Sequence, residues 1–360
     1  MRLLIQPQDG IAPLVAAIKH ARKSVDIVIF RFDRAEIEVA LTAAAKRGVQ
    51  VTALITHANE GGEKSLRKLE MRLLEEGVTV SRTANDLVRY HDKLLIIDRR
   101  VLYVMSFNFT YLDVDHSRGF AIVTRKKKLV HEALKLLAAD DDRTKYEAGL
   151  DDFVVSPVNA RKQLLALIHR AERELLIYDP KVADAEMLRA LDARAKHGVN
   201  VKIIGAVGRK SPHLHVRPLG GFRLHTRTII RDGCEAFVGS QSLRKAELNS
   251  RREVGVIVRD AKVIAGLANT FHADWSAKET IESAATMDAA RHALKMNLKA
   301  NMKKLSPLDP LVREALREVV SKTDGSATLN TKEMKDTVEK AVREAVRERV
   351  QEMLSESSEQ

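Results

Sequence analysis

The chain has 360 residues, 45% hydrophobic and 31% charged, which gives enough apolar material for two lobes and too much for a disordered chain. Its formal net charge of +12 favours phosphate-bearing partners, whether nucleic acid or acidic lipid. The single cysteine, Cys234, excludes an intramolecular disulfide and a cysteine-based metal cluster, and no run reaches the roughly 20 apolar residues of a spanning helix.

In chain order, the patterning predicts a helix over 13–23 opened by Pro13, a strand over 25–30, and a helix over 35–47 ended by Gly48. A strand over 49–55, a charged helix over 63–76 closed by Gly77 and a short strand over 78–81 follow. Tyr90 to Thr110 then reads YHDKLLIIDRRVLYVMSFNFT. Two apolar runs of strand length, 94–97 and 101–105, flank the turn Asp98-Arg99-Arg100. His91, Lys93 and Asp98 are spaced His-x-Lys-x4-Asp, with Ser106 and Asn108 shortly after. On a strand His91 and Lys93 share a face, and an imidazole beside an ammonium suits an anionic, phosphate-bearing substrate. A strand over 119–124 and a helix from about 127 to 138 complete this half.

The second half replays the first. Ala44-Ala45-Lys46-Arg47-Gly48-Val49-Gln50-Val51 aligns with Arg194-Ala195-Lys196-His197-Gly198-Val199-Asn200-Val201 at an offset of 150 residues. His225, Arg227, Asp232, Ser240 and Ser242 repeat the His91 constellation at an offset of 134. The second copy therefore lacks most of the 63–76 helix, and Arg209-Lys210-Ser211-Pro212 occupies its place. Alternating helices and strands make this an α/β protein of two lobes facing each other. The expected divisions are 1–142 and 143–278, joined near Asp140-Asp141-Asp142, and a C-terminal helical extension over 279–360. Its last helix, 331–354, is amphipathic and is expected to pack on the lobes or on a partner helix.

Phosphodiester cleavage needs a nucleophile, charge neutralisation on the phosphate oxygens and a proton for the leaving alkoxide. Two histidines can divide the first and last of these near neutral pH, while Lys93 and Arg227 hold the oxygens and Ser106, Asn108, Ser240 and Ser242 add donors. The motifs resemble those of the phospholipase D superfamily, whose members carry two copies of His-x-Lys-x4-Asp-x6-Gly-Ser-x-Asn. Val238-Gly239-Ser240-Gln241-Ser242-Leu243 and Arg251-Arg252-Glu253-Val254-Gly255-Val256-Ile257 resemble the second half of its bacterial cardiolipin synthase-like branch. The resemblance spans roughly the first three quarters of the chain. It departs at Met105 for Gly, Arg227 for Lys and Ser242 for Asn.

The resemblance implies duplicated phospholipase D-like α/β/α lobes with mixed sheets, and a reaction through a covalent phosphohistidine that needs neither metal nor cofactor. It makes His91 the nucleophile and His225 the general acid. It implies Glu253 as the carboxylate that orients His225; for His91 the aligned position is taken as Arg118, which leaves Asp115, with Asp113 behind it. Asp98 and Asp232 read as turn anchors. The expected activity is phosphatidyl transfer or hydrolysis at a phospholipid headgroup, in the cytoplasm or peripherally on an anionic inner membrane face. The alternatives are a nuclease, against which 4% aromatic residues weigh modestly, and a non-catalytic phosphate-binding or membrane-binding scaffold. Both motifs lie in one chain, so no oligomer is needed to complete the site. His213, His215 and Arg217 read as an exposed edge strand. Arg125-Lys126-Lys127-Lys128 reads as a solvated helix start that could touch lipid headgroups or a nucleic acid backbone.

Overall fold

A computed structural model describes residues 1–57 and 63–277; the helices expected beyond Ala277 lie outside the described residues. Lobe 1 comprises β1 (Arg2–Gln6), α1 (Ala12–Lys19), β2 (Ser24–Ile29), α2 (Ala35–Lys46), β3 (Gln50–Ile55), α3 (Glu63–Glu75) and β4 (Thr79–Arg82). It continues with β5 (Arg89–Tyr90), β6 (Leu94–Ile97), β7 (Val101–Met105), α4 (Tyr111–Asp115), β8 (Ser117–Thr124) and α5 (Lys127–Asp141). Lobe 2 comprises β9 (Phe153–Ser156), α6 (Ala160–His169), β10 (Glu174–Val182), α7 (Ala185–Lys196), β11 (Asn200–Val207) and β12 (His215–Arg217). Its remaining elements are β13 (Arg223–Leu224), β14 (Arg227–Arg231), β15 (Glu235–Gly239), α8 (Lys245–Asn249), β16 (Arg251–Val258) and α9 (Ala261–Ser276).

Each lobe is built on a mixed sheet. In lobe 1 the order is β1-β8-β7-β6-β2-β3-β4, with β2, β3 and β4 parallel and the rest antiparallel. In lobe 2 the order is β12-β11-β10-β14-β15-β16-β5, and β9 also pairs with β16. Helix α2 forms because Ile37, Ala40, Leu41 and Ala44 fall on one buried face, and it ends where Gly48 takes a positive φ of 83°. Helices α1, α2 and α3 cover the outer face of the first sheet, and α6, α7 and α8 that of the second. The inner faces share one core with α5 and α9. Across it Phe120 meets Tyr178 edge-on at 5.5 Å, and Tyr178 meets Phe271 at 5.0 Å.

The lobes also exchange backbone. The two-residue β5 leaves lobe 1 to pair with β16, and β13 leaves lobe 2 to pair with β8. His91 N donates to Arg252 O at 2.8 Å and His225 N to Arg118 O at 3.2 Å, so each motif histidine is pinned to the opposite lobe. Two buried ion pairs lock the exchange: Arg118 grips Asp274 of α9 with two bonds of 2.8 Å, and Arg252 grips Asp140 of α5 at 2.8–3.1 Å. The acidic run expected to end the first lobe's helix and mark the join is thus partly structural. Helix α5 continues through Asp141, and Asp140 is buried. As expected, no helix stands between β11 and β12, and β12 is an edge strand.

Candidate active site

The two hairpins are held in place by their turn aspartates. Asp98 and Asp232 take positive φ values of 54° and 52°, which aspartate tolerates better than most residues. The Asp98 carboxylate accepts from the amides of Arg22, Lys23 and Ser24 at 2.6–3.1 Å, and the Asp232 carboxylate from those of Glu172, Arg173 and Glu174 at 2.8–3.0 Å. Both therefore act at the far end of their hairpins, as anchors.

At the near ends, His91, Lys93, Ser106, Asn108, His225, Arg227, Ser240, Ser242 and Glu253 are all buried. The charges of Lys93 and Arg227 each act on the histidine of the other lobe. The two motifs therefore converge on one site. Lys93, 1% exposed, donates to its own histidine's carbonyl, His91 O. Arg227 does the same to His225 O at 2.6 Å. Arginine thus takes over the anchoring contact of lysine, and its Nε is buried without a partner in the protein.

The carboxylates depart from expectation. Glu253 does not orient His225: it accepts from His91 Nδ1, with its oxygens at 2.8 and 3.0 Å, across the lobe boundary. The strand exchange is the physical reason, because β16 carries Glu253 to the edge where β5 delivers His91. Asp115 is not in the site; it pairs with Arg34 and is half-exposed. Arg118 does not occupy the position matching Glu253. The β7–β8 and β15–β16 registers set Met105 opposite Ala121 and Gly239 opposite Gly255, which places Gly119 there. Any Cβ on Gly119 would lie 2.9 Å from the buried Phe107 ring, so a carboxylate there would require the ring to move. His225 faces Asp113 of α4 instead, Nε2 to Oδ2 at 3.5 Å, while its Nδ1 has no partner.

Further residues build the frame. Asp113 accepts from Asn108 N at 2.9 Å and Asn108 Nδ2 at 2.6 Å, and from Arg223 at 2.6 Å. In lobe 2 the equivalent Glu247 accepts from Ser242 N at 2.9 Å. The shorter Ser242 side chain donates to Asp179, which also receives Leu243 N at 2.7 Å. Ser106 Oγ accepts from Phe120 N at 2.9 Å, and Ser240 Oγ accepts from Val254 N at 3.1 Å and donates to Val254 O at 3.3 Å. Asn108 and Ser242 thus spend donors on the site's own carboxylates, and Ser240 on a backbone carbonyl. Phe30 packs edge-on to His91 at 4.5 Å, with Lys93 Nζ 5.3 Å from its centroid. Sequence reasoning missed Phe30, Asp179, Glu247 and Arg223, which lie outside the motifs. Glu247 had one available signal, since it repeats Asp113 at the 134-residue offset.

Burial governs the electrostatics. It pushes both histidines well below the usual imidazole range, with Lys93 and Arg227 adding to the effect at His91 and Asp113 opposing it at His225. Burial lowers Lys93 to about 7 and raises Glu253 to about 7. Burial also works against ionisation of Asp113, but His225, the Asn108 amides and Arg223 together hold its pKa below the ordinary value. Near neutral pH the arrangement offers a neutral imidazole held by Glu253, beside the Arg227 guanidinium and a Lys93 amine in mid-titration, and an arriving oxyanion favours the ammonium form of Lys93. Among the described residues no group of three His, Cys, Asp or Glu side chains gathers as a metal ligand set, and no helix is long and apolar enough to cross a membrane.

Residues 14–140 and 164–275 match the family model described as cardiolipin synthase, phospholipase D-like domain. A mitochondrial cardiolipin hydrolase of Danio rerio is 30% identical over 145 residues, covering 37% of this chain and 60% of the relative. The major cardiolipin synthase of Bacillus subtilis is 25% identical over 328 residues, covering 74% of this chain and 67% of the relative. The crystal structure of polyphosphate kinase from Porphyromonas gingivalis superposes with a TM-score of 0.62 at 19% identity, over 75% of this chain and 49% of that one. The chain spans 60% of the hydrolase and 40% of a similar polyphosphate kinase from Pseudomonas syringae. At these identities the solved structure speaks to the fold alone.

Proposed function

The chain belongs to the family of the cardiolipin synthase, phospholipase D-like domain, and on that premise we propose that it transfers a phosphatidyl group from a phospholipid headgroup ester to water or an alcohol. The observation that carries this reading is the bond from His91 Nδ1 to the buried Glu253, which leaves Nε2 of a neutral imidazole free to attack phosphorus. Lys93 and Arg227 take the two non-bridging oxygens. The leaving alkoxide receives its proton from His225. That histidine is neutral in the empty site, so it must gain its proton as the anionic substrate arrives, with Asp113 holding the imidazolium. His225 then removes a proton from the acceptor hydroxyl, whose oxygen attacks phosphorus and expels His91. Arg227 holds a phosphate oxygen but cannot give up its own proton, so all proton transfer falls to the histidines.

Lipid rather than nucleic acid is favoured by the family description and by the small share of aromatic residues on which bases could stack. Product analysis of the purified protein on phosphatidylglycerol vesicles and on DNA tests the reading, with His91→Ala and Arg227→Lys alongside. Lipid product that vanishes in His91→Ala is expected; DNA cleavage with inert lipid would replace it with the nuclease reading. Activity in Arg227→Lys but not in the natural chain would make this protein a binding relative.

A further inference from the structure

The duplication supplies an internal reference for every charged cluster, and at one place the copies differ in sign. In lobe 2 the hairpin end is neutralised. Arg170 and Arg231 pair with Glu235 at 2.9 and 3.1 Å, and Arg259 pairs with Glu235 and with Asp152. Asp260 caps α9 through Val263 N at 3.2 Å and binds the Met1 amine at 3.1 Å. At the matching places in lobe 1 stand Val101 for Glu235, Arg2 for Asp152 and Lys126 for Asp260. The arginine at 259 is kept, as Arg125, and Arg99 and Arg100 stand in place of Gly233 and Cys234. The carboxylates are gone and the cations have increased.

Two adjoining clefts open here, of about 600 and 510 Å³, sharing Asp98, Val101 and Arg125. Arg99, Arg100, Arg125 and Lys127 line one, and Arg2 and His20 the other. Asp98 is the only carboxylate lining either cleft, and one of its oxygens serves three backbone amides. Exposed like charges crowded around a hollow repel one another, and an anion seated between them relieves that repulsion. The site lies at the other end of the β6–β7 hairpin from Lys93 and Ser106, so catalysis does not require it.

We propose that the hairpin end of lobe 1 is a binding site for a soluble ligand carrying linked phosphates, held by Arg99, Arg100, Arg125 and Lys127. Guanidinium groups match phosphate oxygens in pairs. The cleft volumes are those of small-molecule sites, whereas a bilayer presents a flat face. The proposal does not depend on the lipid reading of the active site.

Calorimetric binding of inorganic triphosphate, with ATP in parallel, to the full chain tests it. The key variant writes lobe 2 into lobe 1, Val101→Glu with Lys126→Asp; lobe 2 demonstrates that the fold accepts carboxylates there. Arg100→Ala with Arg125→Ala is a second variant at exposed positions. Lys93→Ala with Arg227→Ala takes both phosphate-holding cations out of the active site, and Lys93→Ala alone takes out one. Triphosphate binding that survives both active-site variants and weakens at least tenfold in both hairpin-end variants is expected, with lipid turnover unchanged in the latter two. The Val101→Glu/Lys126→Asp protein should also melt at a higher temperature without ligand. ATP binding like triphosphate assigns recognition to the phosphates alone, and tighter ATP binding assigns a nucleoside contact as well. Binding that disappears in either active-site variant, or that ignores both hairpin-end variants, overturns the site. Displacement of triphosphate by single-stranded RNA or phosphatidylglycerol vesicles at lower phosphate concentration overturns the small ligand in favour of a larger polyanion.

Discussion

Glu253 and Asp115 separate the residues that set the chemistry from those that only resemble candidates. Glu253→Gln keeps the shape of the side chain but removes the charge facing His91, and kcat should fall by roughly 10²–10⁴-fold with little change in KM. Asp115→Ala touches only the Arg34 pair and should leave kcat unchanged. Steady-state kinetics on vesicles distinguish the two. Lys93 gives a pH signature. Its folded pKa of about 7 lies below the ordinary lysine value of 10.5. Between those values the unfolded chain holds a proton that the folded chain has released, so this group makes stability rise with pH across that window. Below about pH 7 the folded protein must carry a buried ammonium and the full penalty applies. Lys93→Met should therefore be more stable than the natural chain near pH 6, and the advantage should shrink toward pH 10. Melting temperatures across that range test this; parallel profiles would contradict the burial of an ammonium at this site. The sequence made Lys93 and both histidines legible because their spacing repeats. It misassigned Glu253 because alignment gives each carboxylate to its own repeat, whereas the fold hands it to the other.

At the scale of elements, the exchanged strands do what the sequence could not reveal. β5 and β13 are two residues long, too short to show any period, yet they deliver His91 and His225 to the opposing sheets. The long helices and the buried strands were legible because their apolar spacing extends over several turns or a whole strand, as in α2 and β2. Gly48 and Gly77 were legible as helix ends, but the strand glycines were not. Gly239 and Gly255 are register partners on the neighbouring strands β15 and β16, and a Cβ on Gly239 would lie 2.6 Å from the Gly255 Cα, so the strands pair here only where neither residue carries a side chain. The buried Arg252–Asp140 pair secures β16 to α5. Asp140→Ala would leave the buried guanidinium only the Ser156 carbonyl at 3.3 Å and the charge of Asp92, a loss of about 3 kcal/mol. Denaturant unfolding measures it, and a loss below about 1 kcal/mol, the range of exposed pairs, would show that the pair is not needed to hold the exchange.

For the molecule as a whole, duplication with divergence explains both the site and its surroundings. The halves contribute the same scaffold, but unequal chemistry: lobe 1 supplies His91 and the ammonium, while lobe 2 supplies Glu253, His225 and the guanidinium. Lobe 2 has not simply decayed at its motif. Arg227 repeats the lysine's carbonyl contact, and Asp179 secures the serine that stands for asparagine. Because both halves lie in one chain, activity per mole should stay constant on dilution from micromolar to nanomolar protein, and a fall would point to a site completed by a second copy. The mechanism turns on His91 taking the phosphatidyl group. The direct test is a single turnover of phosphatidylglycerol labelled in its diacylglycerol part, stopped in alkaline detergent, with the label mapped by peptide mass spectrometry. Transient phosphatidyl label on the peptide bearing His91, absent in His91→Ala, is expected. Label on the His225 peptide, or turnover with no labelled histidine at any time, would contradict it.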